Sequence, residues 1–354
     1  MLTIALDAMG GDNAPDIVLE GVATALSRLP DVSFLLYGDE KRLRAVYGGD
    51  IAKETRLSMV HTPDVVSTEA KPSVALRQGR KTSMYQAIQA VKQGKASGVV
   101  SAGNTGALMA MGKVVLRMLP NITRPAIIAL MPTMRGESLM LDLGANVHCD
   151  SDNLIQFAYM GDVYARHILG LETPVVGLLN VGSEETKGHE ELRQAADILR
   201  HKESGIHFHG FVEGDDISRG TVHVVVSDGF SGNVALKTLE GGALLFKSYL
   251  EGMLRSSLIS RMGYFFMMPA LKRMKRRLDP RLYNGAMLVG LNGVVVKSHG
   301  GTDGFGFANA IEVACALLRD NYNEKLKSAL DAHSASIESA RHGVSQGHKD
   351  KDGA

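Results

Sequence analysis

The sequence holds no tryptophan and only two cysteines, Cys149 and Cys315. They form neither a C-x-x-C pair nor a zinc-ligand spacing, which argues against a disulfide-stapled secreted module and a thiolate metal site. Net charge is scarce as well, since Lys and Arg outnumber Asp and Glu by one, giving +1. A chain so balanced has no global attraction for nucleic acid, and any electrostatic partner must be met by a local patch. No stretch approaches the ~18 uninterrupted apolar residues of a transmembrane helix. The opening MLTIALDAMGGD has no basic n-region and reaches Asp7 after a few apolar residues, unlike a signal peptide. Together these absences predict a cytoplasmic protein. No H-E-x-x-H or comparable pattern occurs, so no metal site is expected. Both the G-x-G-x-x-G dinucleotide fingerprint and the P-loop lysine are missing.

Glycine is abundant, at 39 of 354 residues, and there are 17 methionines. The glycines fall in a recurring unit: a short β-branched run, a Gly-rich turn, then apolar residues at helical spacing. TIALDAMGGD, GVVSAGNTGALMAMGKVV, VVGLLNVGSEETKGHEELRQAADIL, VHVVVSDGFSGNVALKTLEGG and VVVKSHGGTDGFGFANAIEVACALL all follow it. Strands alternating with helices predict an α/β protein, a three-layer α/β/α body with a mostly parallel sheet. Ligands of such sheets bind outside the carboxyl ends of the strands, where we expect these Gly-rich turns to gather on one side. We expect one two-lobed catalytic domain over 1–333 with a central cleft, followed by a polar, disordered tail over 334–354.

Residues 238–278 break this rhythm. Leu239, Ala243, Phe246, Leu250 and Met253 form a stripe at helical spacing. Tyr264, Phe265, Phe266, Met267 and Met268 then precede Pro269, a favoured first helical residue. Lys272, Arg273, Lys275, Arg276 and Arg277 follow. The pattern predicts a protruding helical hairpin with an apolar tip and one basic arm; an ordinary core helix pair is the alternative.

The turn SAGNTGALMA, 101–110, has the chemistry of an anion cradle. Glycine permits positive φ, and a following helix adds a positive field at its N-terminus. Ser101, Gly103, Asn104, Thr105 and Gly106 are therefore candidate phosphate ligands, although a plain strand-to-helix connection reads the same way. Asp7, Gly10 and Gly11, with Asp12 and His299, are candidates for lining the cleft; capping and structural roles fit them equally. Lys187, beside Glu184 and Glu185, suits phosphate binding or oxyanion stabilisation, or a surface ion pair. Asn233 can donate to a carbonyl and Asp228 can orient it, or both can serve turn and cap chemistry.

Taken together, LDAMGGDNAP, VSAGNTGALMA, RPAIIALMPT, LDLGAN with QFAYMG, LLNVGSEETKG, VVVSDGFSGNVALK and HGGTDGFGFANAI resemble one family in order, from residue 3 to about 318. That family is the phosphate acyltransferases of bacterial phospholipid synthesis (PlsX-type). The resemblance implies transfer of a long-chain fatty acyl group from acyl-acyl carrier protein to inorganic phosphate. The acyl phosphate then serves a membrane glycerol-3-phosphate acyltransferase. It also implies a homodimer and a fold like the isocitrate and isopropylmalate dehydrogenases and phosphotransacetylase, with no cofactor.

Direct attack by phosphate is chemically sufficient. Phosphate is largely dianionic near neutral pH, with a second pKa of ~6–7, and a thiol of pKa ~8.5 leaves readily. Alignment contributes ~7–11 kcal/mol and one oxyanion donor ~2.7–4 kcal/mol. On this reading Lys187 and Asn233 act as stabilisers, with Asp228 as orienter. A covalent route through Cys149 is the mechanistic rival. The basic arm, Lys272 to Arg277, would dock the acidic carrier, the stripe would form the dimer seam, and Tyr264 to Met268 would touch the cytoplasmic membrane face. An acyl-CoA enzyme of the phosphotransacetylase kind, a dehydrogenase, and a membrane-associated organiser of lipid synthesis are the alternatives.

Overall fold

The computed structural model describes residues 2–47, 54–277 and 279–332; the side chains of Arg255, Leu258, Ile259, Arg261, Lys272, Lys275, Arg276 and Arg277 lie outside that description. So does the predicted tail, 334–354.

The β-branched runs form strands, and the apolar-periodic segments after them form helices. In chain order these are β1 (Leu2–Asp7), α1 (Asp16–Arg28), β2 (Val32–Gly38), α2 (Glu40–Tyr47), β3 (Leu57–His61), α3 (Pro72–Gln78) and α4 (Ser83–Lys92). Then come β4 (Gly98–Ser101), α5 (Thr105–Leu116), β5 (Ala126–Thr133), β6 (Gly136–Leu141), α6 (Ser151–Ile168), β7 (Val175–Leu179) and α7 (Glu190–Arg200). The last are β8 (His207–Val212), α8 (Gly214–Arg219), β9 (Val224–Val226), α9 (Gly229–Arg255), α10 (Leu258–Arg277), β10 (Ala286–Val289), β11 (Val294–Lys297) and α11 (Gly304–Arg319). One 11-stranded sheet joins them in the order β3-β2-β1-β4-β11-β10-β5-β6-β9-β7-β8.

Successive side chains of a strand point to opposite faces, and each face carries its own core. Ile4, Leu6, Phe34, Val100, Val296, Leu141 and Val226 belong to one, with apolar residues of α1, α6, α7 and α11. Ala5, Val99, Val295, Met140 and Val225 belong to the other, with residues of α4 and α5. The expected α/β/α layering follows from these near-continuous apolar runs, buried on both sides.

Pairings are parallel except β11–β10, β10–β5 and β5–β6. Three successive reversals turn the second half of the sheet around. The carboxyl ends of β1, β2, β4 and β11 therefore lie on one edge, and those of β6, β7, β8 and β9 on the other. The expectation that all the Gly-rich turns gather on one side is corrected by this: they divide into two groups.

Helices α9 and α10 are separated by two residues, and most of their described side chains are exposed. In the predicted stripe, Phe246 and Met253 are exposed while Leu239 and Leu250 are half-buried. The position expected for Pro269 is also corrected. It lies inside α10, eleven residues past the helix start, so Tyr264 to Met268 sit within a helix and not at its entry. The break between the two helices comes earlier, at Ser256 and Ser257. Proline lacks an N–H but does not forbid a continuing helix; it removes one bond and bends it. No described helix is long and apolar enough to cross a membrane.

Candidate functional site

At the first edge, Asp7 ends β1 and pairs in register with Ser101, which pairs with Lys297. Asp7 is 1% exposed. Its Oδ1 accepts from the Ser83 hydroxyl at 2.6 Å and its Oδ2 from the Ser101 hydroxyl at 2.7 Å. Burial pushes the Asp7 carboxyl upward against those hydrogen bonds. The Gly103 N–H donates to Ser101 Oγ at 3.0 Å. Gly10 presses so closely that any Cβ there would collide with Asp7 Oδ2. Gly11, at φ +111, turns the chain back past Ala102.

Ser101 therefore serves the protein's own buried carboxylate. Asn104 is similarly engaged: its Oδ1 caps α5 by accepting from the Ala107 N–H at 2.9 Å, and its amide donates to the Thr68 and Ala70 carbonyls at 2.6 and 3.2 Å. Thr105 and Gly106 open α5, with Gly106 lying against Pro72. His299 is exposed; its N–H donates to Asn284 Oδ1 at 2.8 Å, and its Nδ1 accepts from the Gly301 N–H at 3.1 Å. The Asp12 N–H donates to the Gly300 carbonyl.

Lys297 was not among the sequence candidates. Its ammonium donates to the carbonyls of Ala102, at 3.2 Å, and Ser298, bridging the turns after β4 and β11. Burial lowers its pKa to about 8, resisted by the nearby Asp12 and Asp7 carboxylates. A lysine closing the apolar run VVVK was the available signal.

The second edge holds Asp142, Asn180, Lys187, Asp228 and Asn233. Buried Asp142 organises it, accepting from the N–H groups of Ile127, Ala145 and Asn146 at 2.7–3.0 Å and from the Asn146 amide at 2.9 Å. Burial raises its pKa. Asp228 caps α9: the Ser231 N–H and hydroxyl donate to its two oxygens at 2.8 and 2.9 Å. Asn233 is exposed one turn later, beside Gly144. The Asn180 amide donates to the Lys187 carbonyl at 3.1 Å, which folds the loop so that the exposed Lys187 lies over Gly182. Among the described residues Lys187 forms no ion pair, while Glu185 pairs with Arg200 at 3.4 Å. Half-buried Cys149 has its thiol pushed up to about 12 by burial and by the Asp142 and Asp228 carboxylates. The thiolate is the nucleophile, so this cysteine is poorly suited to covalent catalysis.

The expected phosphate turn and the expected catalytic group thus stand apart. Four strand spacings and the rise along β10 place Ser101 and Asp142 roughly 20 Å apart by ordinary sheet dimensions. Among the described residues no group of three or more His, Cys, Asp or Glu is arranged to hold a metal ion. Arg273 is exposed, whereas the side chains of Lys272, Lys275, Arg276 and Arg277 fall outside the described residues.

The fold is of a class already known among solved structures. The chain is similar to a phosphotransacetylase from Streptococcus pyogenes, with a TM-score of 0.58 at 16% identity, covering 90% of this chain and 94% of that one. It also matches the model of a family described as "Fatty acid synthesis protein" over residues 2–325. Curated relatives named phosphate acyltransferase include that of Paramagnetospirillum magneticum, 56% identical over 93% of this chain and 94% of the relative. That of Rhodospirillum centenum is 56% identical over 95% of each. The chain belongs to the phosphate acyltransferase family, and it is an acyltransferase.

Proposed function

We propose that this enzyme transfers a long-chain acyl group from acyl-acyl carrier protein to inorganic phosphate, giving an acyl phosphate for phospholipid synthesis. The observation that carries this reading is the 56% identity, over nearly the whole length, to relatives named for acyl transfer to phosphate. A sheet like that of a phosphotransacetylase supports it at the level of the fold.

In mechanism, phosphate attacks the thioester carbon. The C–O bond forms first, giving a tetrahedral oxyanion; its collapse breaks the C–S bond, and the carrier thiol leaves with the proton that hydrogen phosphate brought. The first edge, around Thr105 and Gly106, receives phosphate, with N–H groups at the α5 N-terminus as donors. Lys187 and Asn233 stabilise the oxyanion, and Asp228 fixes the helix that carries Asn233. Because these groups occupy opposite edges, we read the enzyme as a homodimer in which one subunit's Lys187–Asn233 edge serves the other's turn. The body is a two-lobed catalytic domain with a cleft, and α9 and α10 form an arm. That arm exposes Tyr249 at 68%, Phe265 at 68% and Phe266 at 77%. A surface so apolar suits a dimer seam or the face of a bilayer, at the cytoplasmic membrane where a glycerol-3-phosphate acyltransferase would take the product.

The test follows phosphate-dependent release of carrier thiol from palmitoyl-acyl carrier protein, with hydroxylamine trapping of the acyl phosphate and palmitoyl-CoA as parallel donor. Turnover with the carrier and little with CoA is the expected result; turnover with CoA alone overturns the donor assignment. Lys187→Ala should reduce kcat/KM at least 100-fold, by about the worth of one oxyanion donor. A rate within twofold of wild type removes Lys187 from the mechanism.

A further inference from the structure

The segment between β3 and α4 straps across the front of α5. Its anchors are the Thr68 and Ala70 carbonyls, which hold the Asn104 amide, Pro72, which lies on Gly106, and Gly79, which lies on Met111 of α5. Ala75 is buried and Leu76 packs against the core of that face. The outer surface carries Lys71, Arg77, Arg80 and Lys81, all exposed, and among the described residues none of the four forms an ion pair. Asp64 and Glu69 are the carboxylates of 64–82, so this stretch holds +2 in a chain whose net charge is +1. Since α3 is seven residues long, the four cations lie within about 15 Å.

Some exposed arginines elsewhere pair with neighbouring carboxylates, as Arg44 does with Glu40, Arg219 with Asp215 and Arg319 with Asp31. Others, such as Arg42 and Arg135, stand singly among the described residues, whereas the strap gathers four such cations between residues 71 and 81. The strap keeps its cations free and is fastened to the turn 102–106. An acidic protein seated there has its charges complemented and lies next to the proposed phosphate position.

Building on the donor reading above, we propose that the 71–81 strap is the docking surface for the acidic carrier protein that presents the acyl thioester. Its four cations engage carrier carboxylates while the acylated arm reaches the edge beneath. This places docking on the strap and not on the basic end of α10.

The experiment compares Arg80→Glu/Lys81→Glu and Lys71→Glu/Arg77→Glu with Arg273→Glu in α10. Each is assayed on acyl carrier protein and on an uncharged acyl thioester of N-acetylcysteamine. Either strap pair should raise the carrier KM at least tenfold at low salt, leave the phosphate KM and the small-thioester rate within twofold, and flatten the salt dependence. The milder Arg80→Gln/Lys81→Gln should give a smaller loss, and all variants should melt within a few degrees of wild type. Wild-type carrier KM in both strap pairs overturns the proposal, as does equal loss on the small thioester, which would make the strap part of the fold or reaction centre. A rise confined to Arg273→Glu moves docking to α10. If wild type binds no carrier by fluorescence anisotropy, docking fails together with the donor assignment; carrier binding untouched by strap charge defeats docking alone.

Discussion

Lys297 spans two turns through main-chain carbonyls, and its chemistry is set by where β11 ends. A buried ammonium disfavours its own charge, so the folded pKa, about 8, lies below the ordinary 10.5. Between those values the unfolded chain binds more protons than the folded one, so this group makes stability rise with pH across that window. Lys297→Met should abolish that rising slope while leaving the Ala102 and Ser298 carbonyls short of a donor, a loss of about 1–3 kcal/mol near neutrality. Thermal melts from pH 7 to 10.5 measure both, and an unchanged slope would remove the burial argument. Cys149 gives a second test at this scale. With its thiol held at about 12, Cys149→Ser should keep kcat within twofold, and a loss beyond 100-fold would restore the covalent route. The sequence identified the residue types of the first edge but not their partners. Ser101 and Asn104 are competent phosphate donors in any turn; that one faces Asp7, ninety-four positions earlier, and the other faces 68–70 depends on strand pairing that no local spacing reveals.

Among the elements, α9 shows how a helix can need glycine where alanine is the better helix former. At an exposed interior position Gly→Ala gains about 1 kcal/mol. At Gly232 the added Cβ would strike the Asp142 carbonyl oxygen, and it would lie 2.5 Å from Ser227 Oγ, both in the buried floor of the second edge. Gly232→Ala should therefore destabilise by about 1–3 kcal/mol, as overpacking does, seen as a lower melting midpoint. An unchanged or higher midpoint would show that α9 can shift outward there. Helix α10 was legible as an apolar stretch followed by a basic one, yet its start was not. Pro269 commonly opens a helix, and only the chain upstream, already helical from Leu258, overrides that preference. Placing Phe265 and Phe266 within a helix leaves them exposed side by side, their rings edge-to-face at 5.9 Å. Phe265→Ser with Phe266→Ser should lower sedimentation with anionic vesicles at least fivefold and leave kcat on soluble substrate unchanged. Equal vesicle binding would exclude these rings from lipid contact.

Across the whole molecule, the alternating β and α segments were readable because both faces of the central strands are apolar, a pattern that permits little besides a covered sheet. Strand direction was not readable. VVV at β9 and VVV within β11 look alike, yet the two run oppositely because β10, β5 and β6 reverse the sheet between them. That reversal is the reason a second subunit enters the proposed mechanism, and it can be tested by mixing. Lys187→Ala and Gly10→Val, each inactive alone, should form mixed dimers after co-refolding that recover roughly a quarter of wild-type activity, since statistical pairing leaves one native composite site in four. No recovery, with mixed dimers verified by mass, would confine each site to one chain.

The position of β11 has a further consequence during synthesis. Strands β1 to β4 and β5 to β9 are all made once Val226 has left the ribosome, but β5 lacks a neighbour until Ala286–Val289 arrives and β4 lacks one until Val294–Lys297 follows. At ~5–20 residues per second the nascent amino-terminal half waits roughly 10–40 seconds with an open β4 flank, the kind of unpaired border that recruits stray strands. Both halves of the sheet are thus sealed late, and the earliest residues made are among the last to be enclosed, when α11 closes over α1 through Arg28–Glu312 and Asp31–Arg319.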